Sequence, residues 1–331
     1  MSPAPLLSVH DLKVHFDIGR HGLLGGHRHV LKAVDGISFD LRPGETLGLV
    51  GESGCGKSTL GRAILRLLPL RGGRTMWLGQ DLARLDAERM RGLRREMQII
   101  FQDPLASLNP RMTVGQIIAE PLITHQPNLK TAEVKNRVKA MMAKVGLLPN
   151  QINRYPHEFS GGQCQRIGIA RAIINEPKLI VCDEPVSALD VSIQAQIVNL
   201  LMDLQAEMGL SLIFISHNLA VVRHISHRVM VLYLGKVMEI ADRDSLYANP
   251  LHPYTQALNS AVPVPDPDIE RAKQRLVLTG DLPSPLNPPS GCPFRTRCPK
   301  ATGICADVMP PLESVGRDHM VACHHAGPIS G

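Results

Sequence analysis

The sequence predicts an α/β fold built on a largely parallel sheet that carries a phosphate-binding loop. Two observations predict this fold. The apolar run TLGLV leads into GESGCGKST, residues Gly51 to Thr59, and apolar strand patterns alternate with helical patterns further along the chain. A strand that ends in a glycine-rich loop and opens a helix cradles nucleotide phosphates. The alternation is typical of parallel strands joined by helices.

The loop fits the pattern G-x-x-x-x-G-K-S/T. Its glycines permit the tight turn that points consecutive backbone N–H groups at phosphate oxygens. Lys57 is expected to reach the β- and γ-phosphates, and Ser58 to bind Mg²⁺. A chance match in a glycine-rich turn is the alternative. The nucleotide-contacting residues predicted for the loop are Gly51, Ser53, Gly54, Cys55, Gly56, Lys57, Ser58 and Thr59.

The segment KLIVCDEP ends a second apolar strand in two carboxylates. A buried parallel strand delivers such acids to a site at its C-terminal end. Asp183 is expected to hold Mg²⁺, and Glu184 to orient or deprotonate an attacking water. A solvated acidic turn after a core strand is the alternative, and the phosphate-binding loop earlier in the chain weighs against it.

The segment FSGGQCQRIGIARAI places small and polar residues immediately before a helical pattern. Such a helix start can bind an anion. The segment resembles the LSGGQ signature of ATP-binding cassette (ABC) ATPases, with Phe159 in place of the usual leucine. In that family the signature closes over the γ-phosphate of ATP held by the opposing subunit. The resemblance therefore implies a partner subunit and assigns to nucleotide binding Ser160, Gly161, Gly162 and Gln163.

Four further positions resemble motifs of the same family. His217, in LIFISHNL, matches the switch histidine that contacts the γ-phosphate, and Gln102, in FQDP, matches the glutamine loop that reaches Mg²⁺ and the attacking water. Asp190, in SALD, matches the loop through which the two subunits communicate. Phe16, near the end of VHDLKVHF, matches the aromatic platform for adenine, and an ordinary core position fits its pattern equally well.

Composition sets further bounds. The chain has 331 residues, 44% of them hydrophobic, which is enough for a substantial core. Its formal net charge of +6 is modest for this length and does not argue for nucleic acid as a partner. No stretch approaches about 18 uninterrupted apolar residues, and no signal-peptide pattern is present. We therefore expect the chain to remain in the cytoplasm, and the family resemblance implies a peripheral position on the cytoplasmic face of the inner (plasma) membrane.

Past Ala241 the composition shifts to a proline-dense tail, a pattern that cannot continue a sheet or form a long helix. HPYTQAL and LPSPLNPPSGCPFRTRC resemble the C-terminal extension of the ATPases of oligopeptide and dipeptide permeases, most closely the F-type ATP-binding subunit of a dipeptide importer. The resemblance covers nearly the whole chain. It implies a P-loop NTPase (RecA-like) ABC nucleotide-binding domain with an inserted helical subdomain and a small Pro/Cys-rich C-terminal extension.

The tail holds four of the seven cysteines, separated by five, six and seventeen residues. Cytoplasmic proteins seldom keep disulfides, so clustered thiols indicate a metal. The spacings are wider than the C-x₂-C pairs of most zinc sites, and the resemblance implies a four-iron, four-sulfur cluster. Zinc and unligated thiols are the alternatives. The expected cluster ligands are Cys292, Cys298, Cys305 and Cys323.

These assignments divide the chain into four segments. Residues 1–95 begin the core, 96–172 hold the glutamine loop and the helical signature subdomain, 173–240 complete the core, and 241–331 form the extension. We expect an ATPase subunit, with ATP and Mg²⁺ as cofactors, that energises dipeptide import. Import of oligopeptides, glutathione or nickel, or an ATPase regulated by an iron–sulfur cluster, are the alternatives. The implied partners are a paralogous ATP-binding subunit in a heterodimer, two transmembrane permease subunits and, indirectly, an external peptide-binding protein.

Overall fold

The computed structural model describes residues 4–20, 28–263, 266–272, 275–316 and 318–329. Within these ranges, no helix combines the length and the apolar character that spanning a bilayer requires. A glycine-rich basic insertion, which the sequence predicts as a surface loop around residues 20–29, lies mostly outside the described residues.

The chain divides into two compact units. Unit 1 is formed by residues up to Leu6, by Leu41–Thr46 and by Asp81–Ile215. Unit 2 is formed by Leu7–Asp40, by Leu47–Gln80 and by the chain from Ser216 onward.

Strands and helices are numbered in chain order. The described strands are β1 (Leu7–Arg20), β2 (Arg28–Leu41), β3 (Thr46–Val50), β4 (Gly72–Trp77), β5 (Gln80–Asp81), β6 (Met97–Ile100), β7 (Leu179–Asp183), β8 (Ser211–Ile215), β9 (Arg228–Tyr233), β10 (Lys236–Asp242), β11 (Glu313–Gly316) and β12 (His319–Val321). The described α-helices are α1 (Lys57–Ile64), α2 (Ala87–Leu93), α3 (Val114–His125), α4 (Thr131–Lys144), α5 (Gly161–Ile173), α6 (Val191–Met208), α7 (Leu219–Ile225), α8 (Arg243–Ala248), α9 (Pro253–Ser260), α10 (Pro267–Ala272) and α11 (Gly303–Asp307). Short 3-10 helices cover Leu82–Arg84, Pro149–Asn153 and Pro156–Glu158.

The core of unit 1 contains parallel strands in the order β8-β7-β6. Leu179 of β7 lies opposite Met97 of β6 on one side and opposite Ser211 of β8 on the other. Every residue of β7 and β8 is buried, which explains why both strands read as continuous apolar runs. Helix α6 carries the chain from β7 to β8, as a parallel pair requires. The strands therefore end at one edge of the sheet, where the predicted acidic residues lie.

Helices α3, α4 and α5 form the helical part of unit 1, and α3 contacts both of the others. The spacing of apolar residues predicts that one helical face holds Val134, Val138, Met141, Met142 and Val145. Val138, Met142 and Val145 are buried, and the other two are partly exposed. Thr113 opens α3 and Ser160 opens α5, each with a capping box completed by a glutamine three residues later. These caps satisfy backbone N–H groups that a helix start leaves unpaired.

Unit 2 contains two strand systems. In the first, β1 pairs antiparallel with β4, and β2 flanks β1. In the second, the order is β11-β12-β10-β9-β3, with β3 and β9 parallel and the other pairs antiparallel. The proline-dense residues 275–302 contain neither helix nor strand, as the sequence predicts. Beyond them the tail returns to the sheet, because β12 pairs with β10, and the sequence did not predict this return.

Candidate nucleotide site

The phosphate loop runs from the end of β3 to the start of α1 in unit 2, and two of its positions require glycine. Gly51 and Gly56 have φ angles of 148° and 104°, a backbone conformation that side chains with a Cβ rarely adopt. A Cβ on Gly51 would overlap the carbonyl oxygen of Leu232, and one on Gly56 would overlap that of Ala33. No side chain caps the start of α1. The first turn of this helix therefore offers backbone N–H groups to an anion.

Lys57 turns back onto its own loop. Its ammonium donates to the carbonyl oxygens of Gly51 at 2.9 Å and of Glu52 at 3.0 Å, and the residue is 5% exposed. A bound phosphate would offer the same protons a charged acceptor, which makes a stronger hydrogen bond than a carbonyl does. Burial raises the pKa of the neighbouring Cys55 thiol, so this side chain stays neutral at pH 7.

Two other predicted residues lie in unit 2. Phe16, on β1, is partly exposed, so its ring is not enclosed in the core and is accessible for stacking. His217 is exposed in the turn before α7. The residue before it, Ser216, donates its N–H to the carbonyl oxygen of Leu49 on β3 at 3.2 Å. His217 is therefore held next to the strand that leads into the phosphate loop.

Unit 1 brings Gln102 and Glu184 together. Gln102 Nε2 donates to Glu184 Oε2 at 3.2 Å, although the two residues are 82 positions apart. Glu184 directly follows β7 and has a φ of 47°, a strained conformation for a residue with a Cβ. Its N–H donates to the carbonyl oxygen of Ile215 at 3.1 Å, and its carbonyl oxygen accepts from Ser187 Oγ at 3.1 Å. These bonds hold the strained residue at the end of the strand.

Oxygen ligands are available for the predicted magnesium ion. Asp183 is the last residue of β7 and is only 1% exposed, and a carboxylate that is so deeply buried requires strong compensating partners. Carboxylate, amide and hydroxyl oxygens are the ligands that Mg²⁺ prefers. The predicted ligands Asp183 and Gln102 in unit 1 and Ser58 in unit 2 therefore fit this ion in their chemistry.

The signature segment is organised as a helix cap. Ser160 Oγ accepts from the N–H of Gln163 at 3.3 Å, and Gln163 Oε1 accepts from the N–H of Ser160 at 3.0 Å. Gly162 packs against Ile193, because a Cβ there would lie 2.6 Å from Ile193 Cγ2. Asp190 occupies the N-cap of α6, but its carboxylate makes no cap hydrogen bond. The predicted nucleotide contacts Ser160 and Gln163 thus also hold the start of α5, a role that the S-x-x-Q pattern signals.

The four predicted cluster ligands in the tail line one small cavity of about 10 Å³, together with residues that include His252 and Phe294. All four are free thiols, and burial raises the pKa of Cys292 to about 11. Among the described residues, no group of three or more His, Cys, Asp or Glu side chains could hold a metal ion. The structure therefore gives no support to the predicted iron–sulfur cluster or to the zinc alternative.

Two family descriptions match the chain: "ABC transporter" over residues 34–187 and "Oligopeptide/dipeptide transporter, C-terminal region" over residues 238–305. The oligopeptide transport ATP-binding protein OppF of Salmonella typhimurium is 64% identical over 326 residues, which cover 98% of this chain and 97% of that protein. The chain belongs to the ABC transporter family. This membership confirms the expected family, fold class and ATPase activity.

Further ABC proteins are similar over most of the chain. OppF of Escherichia coli is 63% identical, and the oligopeptide transport ATP-binding protein AppF of Bacillus subtilis is 54% identical, over 98% and 96% of this chain and 97% of each relative. The solved post-hydrolysis dimer of the ATP-binding cassette MJ0796 with ADP and Pi aligns with a TM-score of 0.64 and 26% identity, over 72% of this chain and 98% of that one. CbiO1 from Clostridium perfringens aligns with a TM-score of 0.62 and 26% identity, over 74% and 91%.

Proposed function

We propose that this ABC ATPase energises the import of oligopeptides across the cytoplasmic membrane. The proposed ATP hydrolysis is supported by the hydrogen bond between Gln102 and Glu184, because this bond joins the glutamine loop to the carboxylate that would activate water. The peptide part is supported by relatives named as oligopeptide transport ATP-binding proteins, which match this chain including its tail. Oligopeptides therefore replace dipeptides as the favoured substrate class.

Nucleotide binding would use the phosphate loop. Phosphate oxygens accept from backbone N–H groups of the loop and from Lys57, which exchanges its bonds to loop carbonyls for the β- and γ-phosphates. Ser58, Gln102 and Asp183 would supply oxygen ligands to Mg²⁺, which would neutralise charge on the phosphates. The ring of Phe16 stacks on the adenine.

Hydrolysis would depend on the end of β7. Glu184 orients the attacking water and accepts its proton, and the hydrogen bond from Gln102 fixes the carboxylate. His217 donates to the γ-phosphate and stabilises the charge on its oxygens. Hydrolysis yields ADP and phosphate, which then dissociate. Because Glu184 and His217 are both present, this chain's own nucleotide site would be competent for hydrolysis.

The signature segment implies a second ATP-binding subunit. Ser160, Gly161 and Gly162 at the start of α5 would bind the γ-phosphate of ATP held by a paralogous ATPase, forming a heterodimer. Asp190 would contact that subunit, and its carboxylate is not engaged in capping α6.

The permease subunits would dock on the helical part of unit 1. A groove of about 520 Å³ lies there between α3 and α4, with Ile123, which is 52% exposed, and Val134 in its apolar lining. Glu120 and Lys135 also line the groove and could pair with charges that flank an amphipathic helix of a permease. The ATPase would then be a peripheral protein on the cytoplasmic face of the membrane, and the external peptide-binding protein would contact only the permeases.

Uptake by cells tests this function. A strain that lacks this chain, complemented with the wild-type gene, is expected to accumulate labelled tetrapeptides and pentapeptides. Glu184→Gln should abolish uptake, whereas Glu207→Gln should preserve it, since the Glu207 side chain is 61% exposed and contacts Lys144 on the surface. Uptake restricted to dipeptides would restore the dipeptide assignment, and unchanged uptake in a strain lacking the chain would overturn the proposal.

A second candidate activity is the binding of a four-iron, four-sulfur cluster by the tail. It is favoured by the one cavity that all four tail cysteines line. A cluster places each thiolate on a different iron, so its ligands need not converge as closely as those of one ion. Four cysteine thiolates are the ligand number that such a cluster takes.

Metal analysis of anaerobically purified protein tests the cluster. We expect about four iron atoms and four acid-labile sulfides per chain. Cys292→Ser should lose both, and Cys164→Ser should keep both because that thiol is buried in α5. Zinc in place of iron, or no metal, would overturn this assignment without affecting the ATPase.

A further inference from the structure

Arg297 joins the cysteine-rich tail to the phosphate loop. Its Nη1 donates to both carboxylate oxygens of Glu52, at 3.0 and 2.8 Å, across 245 positions of sequence. The Arg297 side chain is 10% exposed and that of Glu52 is 28% exposed. Solvent therefore screens this ion pair less than it screens a surface pair. Glu52 is the second residue of the loop, directly after Gly51.

Glu52 is also held through its backbone. Its N–H donates to the hydroxyl of Tyr254 at 2.9 Å, and its carbonyl oxygen accepts from Lys57 at 3.0 Å. Tyr254 is fully buried, and its ring centroid lies 4.9 Å from that of Tyr233 and 5.3 Å from that of Phe294. The lysine that would bind phosphate is therefore connected through a single residue to an aromatic cluster and to an arginine of the tail.

The same tail segment carries the thiols. Arg297 precedes Cys298, and its N–H donates to the carbonyl oxygen of Phe294 at 3.0 Å. Cys292 donates its N–H to the carbonyl oxygen of Cys305 at 2.8 Å. These thiols all line the shared cavity. Because Arg297 directly precedes Cys298 in this turn, a ligand or modification that moves the Cys298 thiol would also move the turn that presents Arg297 to the loop.

We propose that Arg297 is a positioning residue that couples the four-cysteine tail to the nucleotide affinity of the phosphate loop. The proposal rests on the proposed ATP-binding role of that loop. An unpaired Glu52 would place a negative charge beside the phosphates, and Arg297 compensates this charge and fixes the loop backbone. Because coupling free energies between two sites are reciprocal, we expect bound nucleotide to shift the conformation of the tail and so to change the accessibility of its thiols.

Two measurements on the full chain test the coupling: the affinity for a fluorescent, non-hydrolysable ATP analogue, and the alkylation rate of each tail cysteine by N-ethylmaleimide, resolved by mass spectrometry. Arg297→Met should weaken analogue binding about tenfold, because a charge-assisted hydrogen bond at a partly buried carboxylate is lost. The analogue should change the alkylation rates of the wild-type tail at least about threefold, and this effect should vanish in the variant.

Arg295→Met is the matched control. That arginine lies in the same turn but bonds within the tail, to the carbonyl oxygen of Ser290 at 2.9 Å. Its loss should therefore leave unchanged both the affinity for the analogue and the effect of the analogue on thiol alkylation. Glu52→Gln leaves the tail sequence unchanged and should also abolish the effect of the analogue on thiol alkylation. Loss of this effect in both variants could then not be explained by unfolding of the tail. A wild-type chain that fails to bind the analogue would overturn the proposed function. If the wild type binds the analogue normally, two results would overturn only the coupling. One is that the analogue has no effect on thiol alkylation in the wild type, and the other is that this effect persists in Arg297→Met.

Discussion

Gln102 donates a hydrogen bond to Glu184 because their strands are parallel neighbours in register. Ile100, the last residue of β6, lies opposite Cys182 of β7. Gln102 lies two residues beyond Ile100, and Glu184 lies two residues beyond Cys182. Their Nε2 and Oε2 atoms are 3.2 Å apart. A movement of the glutamine loop must therefore alter the surroundings of the proposed catalytic carboxylate.

Replacement of Glu184 by glutamine should leave ATP bound and lower its turnover by about 100-fold or more, because an amide of the same shape cannot accept a proton. Phosphate release and retained nucleotide, measured on the assembled transporter, check this outcome. Glu207→Gln serves as the exposed control. Continued turnover in Glu184→Gln would rule out the assigned role.

Ser160 and Thr113 cap two helices of unit 1 with the same geometry, each accepting from a glutamine N–H at 3.3 Å. Alanine at either position should lower the free energy of unfolding by about 1 kcal/mol, because one backbone N–H loses its acceptor. Only Ser160→Ala should also lower ATP turnover in the assembled transporter. Denaturant titration and ATPase assays separate the two effects, and equal turnover in both variants would contradict the signature assignment.

Glu239 is fully buried on β10, and three contacts offset the cost of burying its carboxylate. Its carboxylate accepts from the N–H groups of Leu251 at 2.8 Å and His252 at 2.9 Å, and it lies 2.7 Å from His319 Nε2 on β12. Glu239→Ala should lower the free energy of unfolding by about 3 kcal/mol, because buried donors lose their acceptor. Urea denaturation measures this loss. Glu313→Ala, at an exposed position on β11, should change stability by no more than about 0.5 kcal/mol.

His252 should make stability depend on pH. Burial lowers its pKa to about 4, and the nearby Glu239 opposes this shift only in part. The unfolded chain, with a histidine pKa of about 6.5, takes up a proton as the pH falls from 6.5 toward 4, whereas the folded protein does not. The contribution of the neutral ring to the free energy of unfolding is therefore fully present above pH 6.5. It is lost as the pH falls from 6.5 to 4.

His252→Asn tests this pH dependence, because asparagine keeps an acceptor for the Tyr254 N–H but does not titrate. The loss of unfolding free energy between pH 6.5 and pH 4 should be smaller by about 3 kcal/mol in the variant than in the wild type. Denaturant titrations at several pH values measure the difference, and parallel stability curves for the two proteins would contradict the prediction.

Local features of this protein could be predicted from the sequence because their causes act over a few residues. The phosphate loop requires glycine where the backbone adopts positive φ, so Gly51 and Gly56 mark it in any sequence of this pattern. The buried strands β7 and β8 are continuous apolar runs, and the capping box at Ser160 follows from a glutamine three residues later. The roles assigned to individual residues in binding and hydrolysis stay predictions.

The sequence by itself therefore determined the fold class, the family and the position of each motif. Only the tertiary structure decided which distant groups meet. Gln102 reaches Glu184 across 82 positions, and Arg297 reaches Glu52 across 245. Propensities and caps act between neighbours in the chain, whereas contacts of this kind depend on strand order, register and the path of the tail, which no local pattern encodes.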